Sequence, residues 1–208
     1  MSARIERLVT SGTFSLDGGT WDVDNNVWIV GDDSEVIVID PAHDAAAVAK
    51  AVDGRTVKMI LLTHGHDDHV RAARETARLL DAPIRLHPDD RMLWDAVHEE
   101  APDAQIADGD VFEVAGVELA AVHTPGHSPG SVSFVAPALG AVFTGDTLFQ
   151  GGPGATGRSY SDFDTIIESI RTDLLTLPPE TVVYTGHGPT TTIGDEAPHL
   201  DEWIARGH

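Results

Sequence analysis

The run Val57–Leu62 passes directly into Thr63-His64-Gly65-His66-Asp67-Asp68-His69. A short, mostly apolar run of this kind reads as a strand buried on both faces, inside a sheet covered by helices. After the polar stretch, apolar residues return at helical spacing (Val70, Ala73, Ala77, Leu80), with Arg71, Arg74, Glu75 and Arg78 turned outward. That spacing predicts a helix over 70–80. Strand, polar loop, helix is the signature of an α/β sheet, and such sheets carry their sites at the carboxyl ends of the strands. The loop here places three histidines and two aspartates in six positions. Neutral imidazoles and carboxylates are the usual ligands of zinc and related divalent ions, so the stretch predicts a metal centre.

The rest of the chain fits around that unit. Arg4–Ser11 and Thr13–Leu16 read as short strands, with Asp17-Gly18-Gly19 as a turn. Val27–Val30 and Val36–Ile39 form a hairpin pattern about Gly31–Ser34, and Asp44–Val52 a helix closed by Gly54. Ile84–His87 reads as a strand and Pro88–His98 as a helix. From Asp108 the pattern changes to strands at Val111–Val114, Val117–Val122, Ser131–Val135 and Ala141–Thr144. Asp162–Leu175 is an amphipathic helix with Asp162 as its cap, Val182–Tyr184 a buried strand, and Asp195–Ala205 a closing helix. Strands, helices, strands, helices: the order predicts two sheets packed face to face with helices outside. No low-complexity linker interrupts it, so residues 1–208 read as one domain.

Composition removes several classes of function. The chain has no cysteine, so disulfides and thiolate metal sites are excluded. Acidic residues number 34 against 13 basic, a net charge of −21. That field repels phosphate backbones and argues against nucleic acid as a partner. No apolar run approaches the ~20 residues of a membrane span. The start, Met1–Thr10, has no signal-peptide pattern. A small-molecule substrate and a cytoplasmic location are the expectation; oligomeric state is not legible.

A metal site in a sheet protein draws ligands from loops distant in sequence. Three candidates sit at strand ends beside glycine: His127 in Thr124–Gly130, Asp146 in Thr144–Thr147, and His187 in Thr185–Pro189. Taken singly, Asp146 reads as a turn or cap residue and the two histidines as ordinary loop residues. The remaining histidines (His43, His87, His98, His123, His199, His208) match no motif and read as surface or core residues. Trp21, Trp28, Trp94 and Trp203 read as core or rim packing.

Together the motifs THGHDDH, TPGHSPGS, GDTLF and GHG, in that order, resemble those of metallo-β-lactamase-fold hydrolases. Within that superfamily the chain is similar to the short glyoxalase-II-like group and looks like its actinobacterial members. The resemblance spans roughly Phe14 to Thr192. It implies an α/β protein built as a four-layer αβ/βα sandwich, with two divalent metal ions at one edge. By position, His64, His66 and His127 hold one ion, Asp68, His69 and His187 the other, and Asp146 bridges them. Zinc is the expected metal, with iron or manganese as alternatives. Asp40, at the end of a strand, is either an orienting partner of a ligand histidine or simply a strand terminator before Pro41.

The activity implied is hydrolysis of an S-acyl thioester of a small thiol, glutathione or mycothiol, by a metal-bridging hydroxide, with Asp68 handling a proton. Only 21 residues follow His187, so the helical domain with which longer members bind glutathione is absent from this sequence. The segment Gly151–Tyr160 is longer than usual. Arg158, and more weakly Tyr160, are the candidate substrate contacts. Two other enzymes resemble this motif set: a persulfide dioxygenase with one iron at His64, His127 and Asp146, and a lactonase. A nuclease is disfavoured by the charge, and an inert metal-binding module is the non-enzymatic alternative.

Overall fold

Alternation along the strands divides the apolar residues between two packing layers. In a computed structural model that describes residues 2–207, strand β3 (Glu35–Ile39) sends Val36 and Val38 to one core and Ile37 and Ile39 to another. Successive side chains of a strand point to opposite faces, so a strand buried on both sides must feed two cores. Met1 and His208 lie outside the described residues.

The chain order is β1 (Arg4–Leu16), β2 (Gly19–Gly31), β3, α1 (Ala45–Val52), β4 (Thr56–Leu61), α2 (Asp67–Val70), α3 (Ala73–Leu80), β5 (Ile84–Leu86), α4 (Arg91–Asp95), β6 (Ala104–Gln105), β7 (Val111–Val114), β8 (Val117–His123), β9 (Val132–Ala136) and β10 (Ala141–Gly145). There follow β11 (Leu148–Phe149), β12 (Gly152–Pro153), α5 (Phe163–Ser169), β13 (Val182–Thr185), β14 (Thr191–Thr192), α6 (Ile193–Glu196) and α7 (Leu200–Arg206). One sheet runs β1-β2-β3-β4-β5-β6 and the other β14-β13-β10-β9-β8-β7. Strands β3 to β6 are parallel, as is the pair β10 and β13.

Three buried clusters fill the layers. Ile37, Ile39 and Leu61 of the first sheet meet Phe112, Leu119, Phe134 and Phe143 of the second between the sheets. Val36, Val38 and Ile60 pack outward on Val48 and Val52 of α1 and Ala73 of α3. Val142 and Val183 pack outward on Ile166 and Ile167 of α5 and Trp203 of α7. Full burial of an Ile or Leu side chain stabilises by about 1.5–3 kcal/mol. The helix–sheet–sheet–helix sandwich expected from the element order is the one observed.

The element boundaries needed correction. The first two strands are one continuous strand, β1, because Gly12 stays in register opposite Val23 of β2. The polar stretch before Val27 is also strand, since ladder pairing with β1 needs no apolar pattern. The helix expected over 70–80 is two, α2 and α3, parted where Ala72 sits at φ −88°, ψ −1°. The helix at Pro88–His98 shortens to a 3₁₀ turn, Pro88–Asp90, followed by α4. The helix from Asp162 to Leu175 widens after Ser169, where Leu175 N–H reaches back to Ile170 O at 2.9 Å. Pro198 cannot donate, and the closing helix is split into α6, a 3₁₀ turn and α7. No helix among the described residues is long and apolar enough to cross a membrane.

Candidate metal centre

Asp40 directly follows β3 and is buried. Its Oδ1 accepts the Thr63 N–H at 2.8 Å, and its Oδ2 accepts the Thr63 hydroxyl at 2.6 Å. The same Oδ2 lies 3.0 Å from His69 Nδ1. Asp40 therefore orients the loop after β4, and the reading of it as an orienting residue holds geometrically. The loop turns at once into α2, whose first residue is Asp67. Asp67 points away from the centre: it accepts the Ser15 N–H at 3.0 Å and pairs with Arg71. Asp68 and His69, on the next positions of the same turn, are buried.

The loops after β8, β10 and β13 bring His127, Asp146 and His187 to the same place. His66 Nδ1 lies 3.0 Å from His127 Nε2, and the His64 ring centroid lies 4.8 Å from that of His66 and 5.0 Å from that of His127. In the second group His69 Nε2 is 3.2 Å from His187 Nε2 and 3.5 Å from Asp68 Oδ2, and His187 Nε2 is 3.3 Å from Asp68 Oδ2. Asp146 stands between the groups, with Oδ2 3.7 Å from His127 Nε2 and 3.3 Å from His187 Nε2. Glycine is needed here: a Cβ at Gly186 would lie 2.1 Å from Asp146 Oδ1.

Hydrogen bonds behind the rings select their tautomers. The Nδ1–H of His127 donates to Ala155 O at 2.9 Å and that of His187 to Asp24 O at 2.8 Å. His69 Nδ1 donates to Asp40, and His64 Nδ1 sits 3.1 Å from Thr63 Oγ1. In each of the four this turns Nε2 toward the centre, the orientation that metal-ligating histidines show. His64 Nε2 and Asp146 Oδ1 are buried with no hydrogen-bond partner. Burying such acceptors unpaired is costly, and a cation satisfies them. The donor set fits divalent metal.

Electrostatics divides the two groups. Burial, reinforced by neighbouring histidines, pushes His64 well down and His66 down to about 3, so both rings are neutral. For His187, burial opposes charge, but Asp146 and Asp68 outweigh it and push the pKa up to about 10. His69 is raised in the same way, by Asp68 and Asp146 against burial. Burial raises Asp68, but His69 and a bond from His187 hold it down at about 2. The two carboxylates thus favour positive charge at this point.

A family model described as the metallo-beta-lactamase superfamily matches residues 20–187. The chain belongs to that superfamily. It is a metal-dependent hydrolase by family, and the fold implies divalent metal binding. The chain is 35% identical over 181 residues to hydroxyacylglutathione hydrolase GloC of Haemophilus influenzae, covering 79% of this chain and 85% of that protein. Among solved structures it is similar to the BLEG-1 B3 metallo-beta-lactamase, with a TM-score of 0.80 and 30% identity over 92% of this chain and 98% of that one. It is also similar to TTHA1623 in a di-iron-bound form, with a TM-score of 0.75 and 32% identity over 90% of this chain and 96% of that one.

Over the centre lies a cavity of about 310 Å³ lined by Phe14, Trp21, Phe149 and Arg158 together with ligand-type residues. The Arg158 guanidinium stacks 3.9 Å over the Trp21 ring. Ser159 donates from N–H and hydroxyl to Asp17 at 3.0 and 2.6 Å, tying the 151–160 segment to the tip of the β1–β2 hairpin. Tyr160 is a correction: it is exposed at φ 71° and is not among the residues lining the cavity. The residues missed by motif reading are Asn25, His43 and Asp90. Asn25 Nδ2 donates to Asp68 Oδ2, and Asp90 accepts from Gly65, Ser128 and Gly130. None carries a local signal; Asn25 lies in the polar stretch before Val27 and Asp90 reads as part of a helix start.

Proposed function

We propose that this member of the superfamily hydrolyses S-acyl thioesters of a small thiol, using two divalent metal ions. His64, His66 and His127 hold one ion, Asp68, His69 and His187 the other, and Asp146 lies between them. The carrying observation is the pair of three-residue groups whose ligand-type atoms converge on either side of Asp146. Zinc suits five imidazoles and two carboxylates, and iron and manganese suit them too. The name of the Haemophilus influenzae relative supports the thioester, and the di-iron form of TTHA1623 supports two ions.

When bound, such ions bring a coordinated water toward ionisation near neutral pH and polarise the scissile carbonyl. The protein's own groups do the rest. Asp40, Ala155 O and Asp24 O hold the imidazoles in one tautomer. Asp68, held at about 2 by His69 and the bond from His187, is ionised, and it is both a ligand of the second ion and the carboxylate that handles a proton. Phe14, Trp21 and Phe149 wall the cavity with apolar surface. Arg158 spends a face on Trp21 and leaves its N–H edge for a substrate carboxylate. The substrate is a small molecule and the setting cytoplasmic.

The test is metal analysis combined with turnover on S-lactoylglutathione, an S-acylmycothiol, glutathione persulfide, a lactone and a β-lactam. Two metal equivalents and preferred thioester turnover are expected. No hydrolysis of any thioester, or sulfite formed from the persulfide with one iron, overturns the reading.

A further inference from the structure

Three kinds of side chain line the cavity over the centre. Phe14, Trp21, Val23, Phe149 and Ala155 are aromatic or aliphatic. Arg158 is the single cation other than histidine. Every other lining residue is one of the seven proposed to hold metal. The wall thus offers a substrate no hydroxyl and no amide side chain.

The rings flank the centre on both sides. Phe14 stands edge-on to His66, with centroids 5.3 Å apart, and stacks on Trp21 at 5.8 Å. Trp21 in turn carries the Arg158 guanidinium. Phe149 lies 6.2 Å from the His187 ring, beside the other group. A thioester with its carbonyl at the centre has two arms. One runs along Phe14 and Trp21 and reaches Arg158; the other passes Phe149.

Charge limits what the first arm carries. Among the described residues the Arg158 guanidinium makes only its ring contacts, with Trp21 and Phe14, and no ion pair. Its N–H edge is open to one anionic group. Asp17, Asp22 and Asp24 are exposed on the same hairpin. Asp17 is held ionised chiefly by the Ser159 hydroxyl and N–H, with Arg158 a lesser cause. In a chain of net charge −21 these carboxylates repel further negative charge.

We propose that the site selects thioesters with one anionic group and otherwise hydrocarbon arms, over hydroxyacyl thioesters and over thioesters of polyanionic thiols. This rests on the thioesterase reading above and narrows its substrate. A methylene laid against these walls gains by leaving water. A hydroxyl laid there loses its water and finds no side-chain partner.

Two readouts on the enzyme with the metal it purifies with test this. The first is kcat/KM, divided by each probe's own hydroxide-catalysed rate. The probes are S-hexanoyl-β-mercaptopropionate, S-adipoyl-N-acetylcysteamine, neutral S-hexanoyl-N-acetylcysteamine, S-hexanoyl-coenzyme A and S-lactoylglutathione. One of the two monoanions should lead the neutral probe by about tenfold, the worth of one charge-assisted hydrogen bond. The coenzyme A and lactoyl thioesters should fall below the neutral probe. Lengthening the acyl chain from acetyl to hexanoyl should gain about two- to fourfold per methylene. The second readout is calorimetric binding of thioether analogues of the two monoanions and of the neutral probe, which are not hydrolysed. At least one monoanion should bind about tenfold tighter than the neutral analogue in wild type, and Arg158→Gln should remove most of that lead. Turnover of no thioester defeats the thioesterase reading, while the binding order decides the inference by itself. A neutral analogue that binds as tightly as both monoanions, or S-lactoylglutathione ahead of the hydrocarbon probes in turnover, overturns it.

Discussion

Asn25 donates from Nδ2 to Asp68 Oδ2 at 3.0 Å, and its own Oδ1 is held by His43 Nε2 at 2.7 Å. Three buried or half-buried side chains thus form a line ending on Asp68, a residue proposed to hold the second ion. The backbone of Asn25 also bridges to His187 of the same group. His43 reaches this place because Gly12 has no side chain; a Cβ there would lie 2.2 Å from the His43 ring. Asn25→Ala should therefore lower metal content from two equivalents toward one while leaving the group at His64, His66 and His127 loaded. His43→Ala should do the same more weakly. Elemental analysis after dialysis checks this, and full occupancy in Asn25→Ala would sink it.

Asp40 offers acceptors to the Thr63 N–H, the Thr63 hydroxyl and His69 Nδ1. Asp40→Ala strands three buried donors. Metal affinity should fall about 10–100-fold, and stability without added metal by about 1–3 kcal/mol or more. Chelator competition and urea denaturation measure the two separately.

Asp90 lies behind both metal loops and accepts from Gly65 N–H, Gly130 N–H and the Ser128 hydroxyl. Burial pushes its pKa up, against those three bonds. Asp90→Asn keeps the shape but replaces one acceptor by an NH₂ that faces a donor. It should destabilise by about 1–3 kcal/mol. A urea midpoint unchanged from wild type would contradict this.

The pH dependence of stability should show the ion pair between β1 and the start of β4. Arg55 donates to both oxygens of Glu6, at 2.7 and 3.1 Å. The bond from Arg55 lowers the Glu6 pKa below 4.5 in the folded chain. A lowered carboxylate pKa stabilises above the unfolded value and loses that contribution as pH falls through the folded value. Glu6→Gln should cost about 0.5–1 kcal/mol at pH 7, a difference that shrinks as pH drops below about 4.5. Urea curves at both pH values test it; an undiminished difference in acid would refute the assignment.

Trp21 supports Arg158 by stacking. Trp21→Ala should raise KM for an anionic thioester about two- to fivefold, the worth of a 0.5–1 kcal/mol cation–π contact, with kcat little changed. An effect confined to kcat would place Trp21 in the chemistry instead.

Much of this protein is legible locally. An apolar run passing into THGHDDH specifies a strand, a metal-type loop and a helix, because side-chain periodicity and ligand chemistry are properties of neighbouring residues. The glycine-flanked His127, Asp146 and His187 were legible as motifs too. Only the tertiary structure decided which atoms of these residues converge, since their loops come from strands in two sheets. It also decided the roles of Asn25, His43 and Asp90, which act through hydrogen bonds between elements distant in sequence and leave no periodic or compositional trace. Gly12, read locally as a break, is an unbroken strand residue that makes room for His43. Tyr160, read as a substrate contact, turns to solvent because the Asp17–Ser159 bonds set the path of its loop. Sequence determines what each short segment can be; the packing of the two sheets determines which segments meet, because only there do buried polar atoms find their partners.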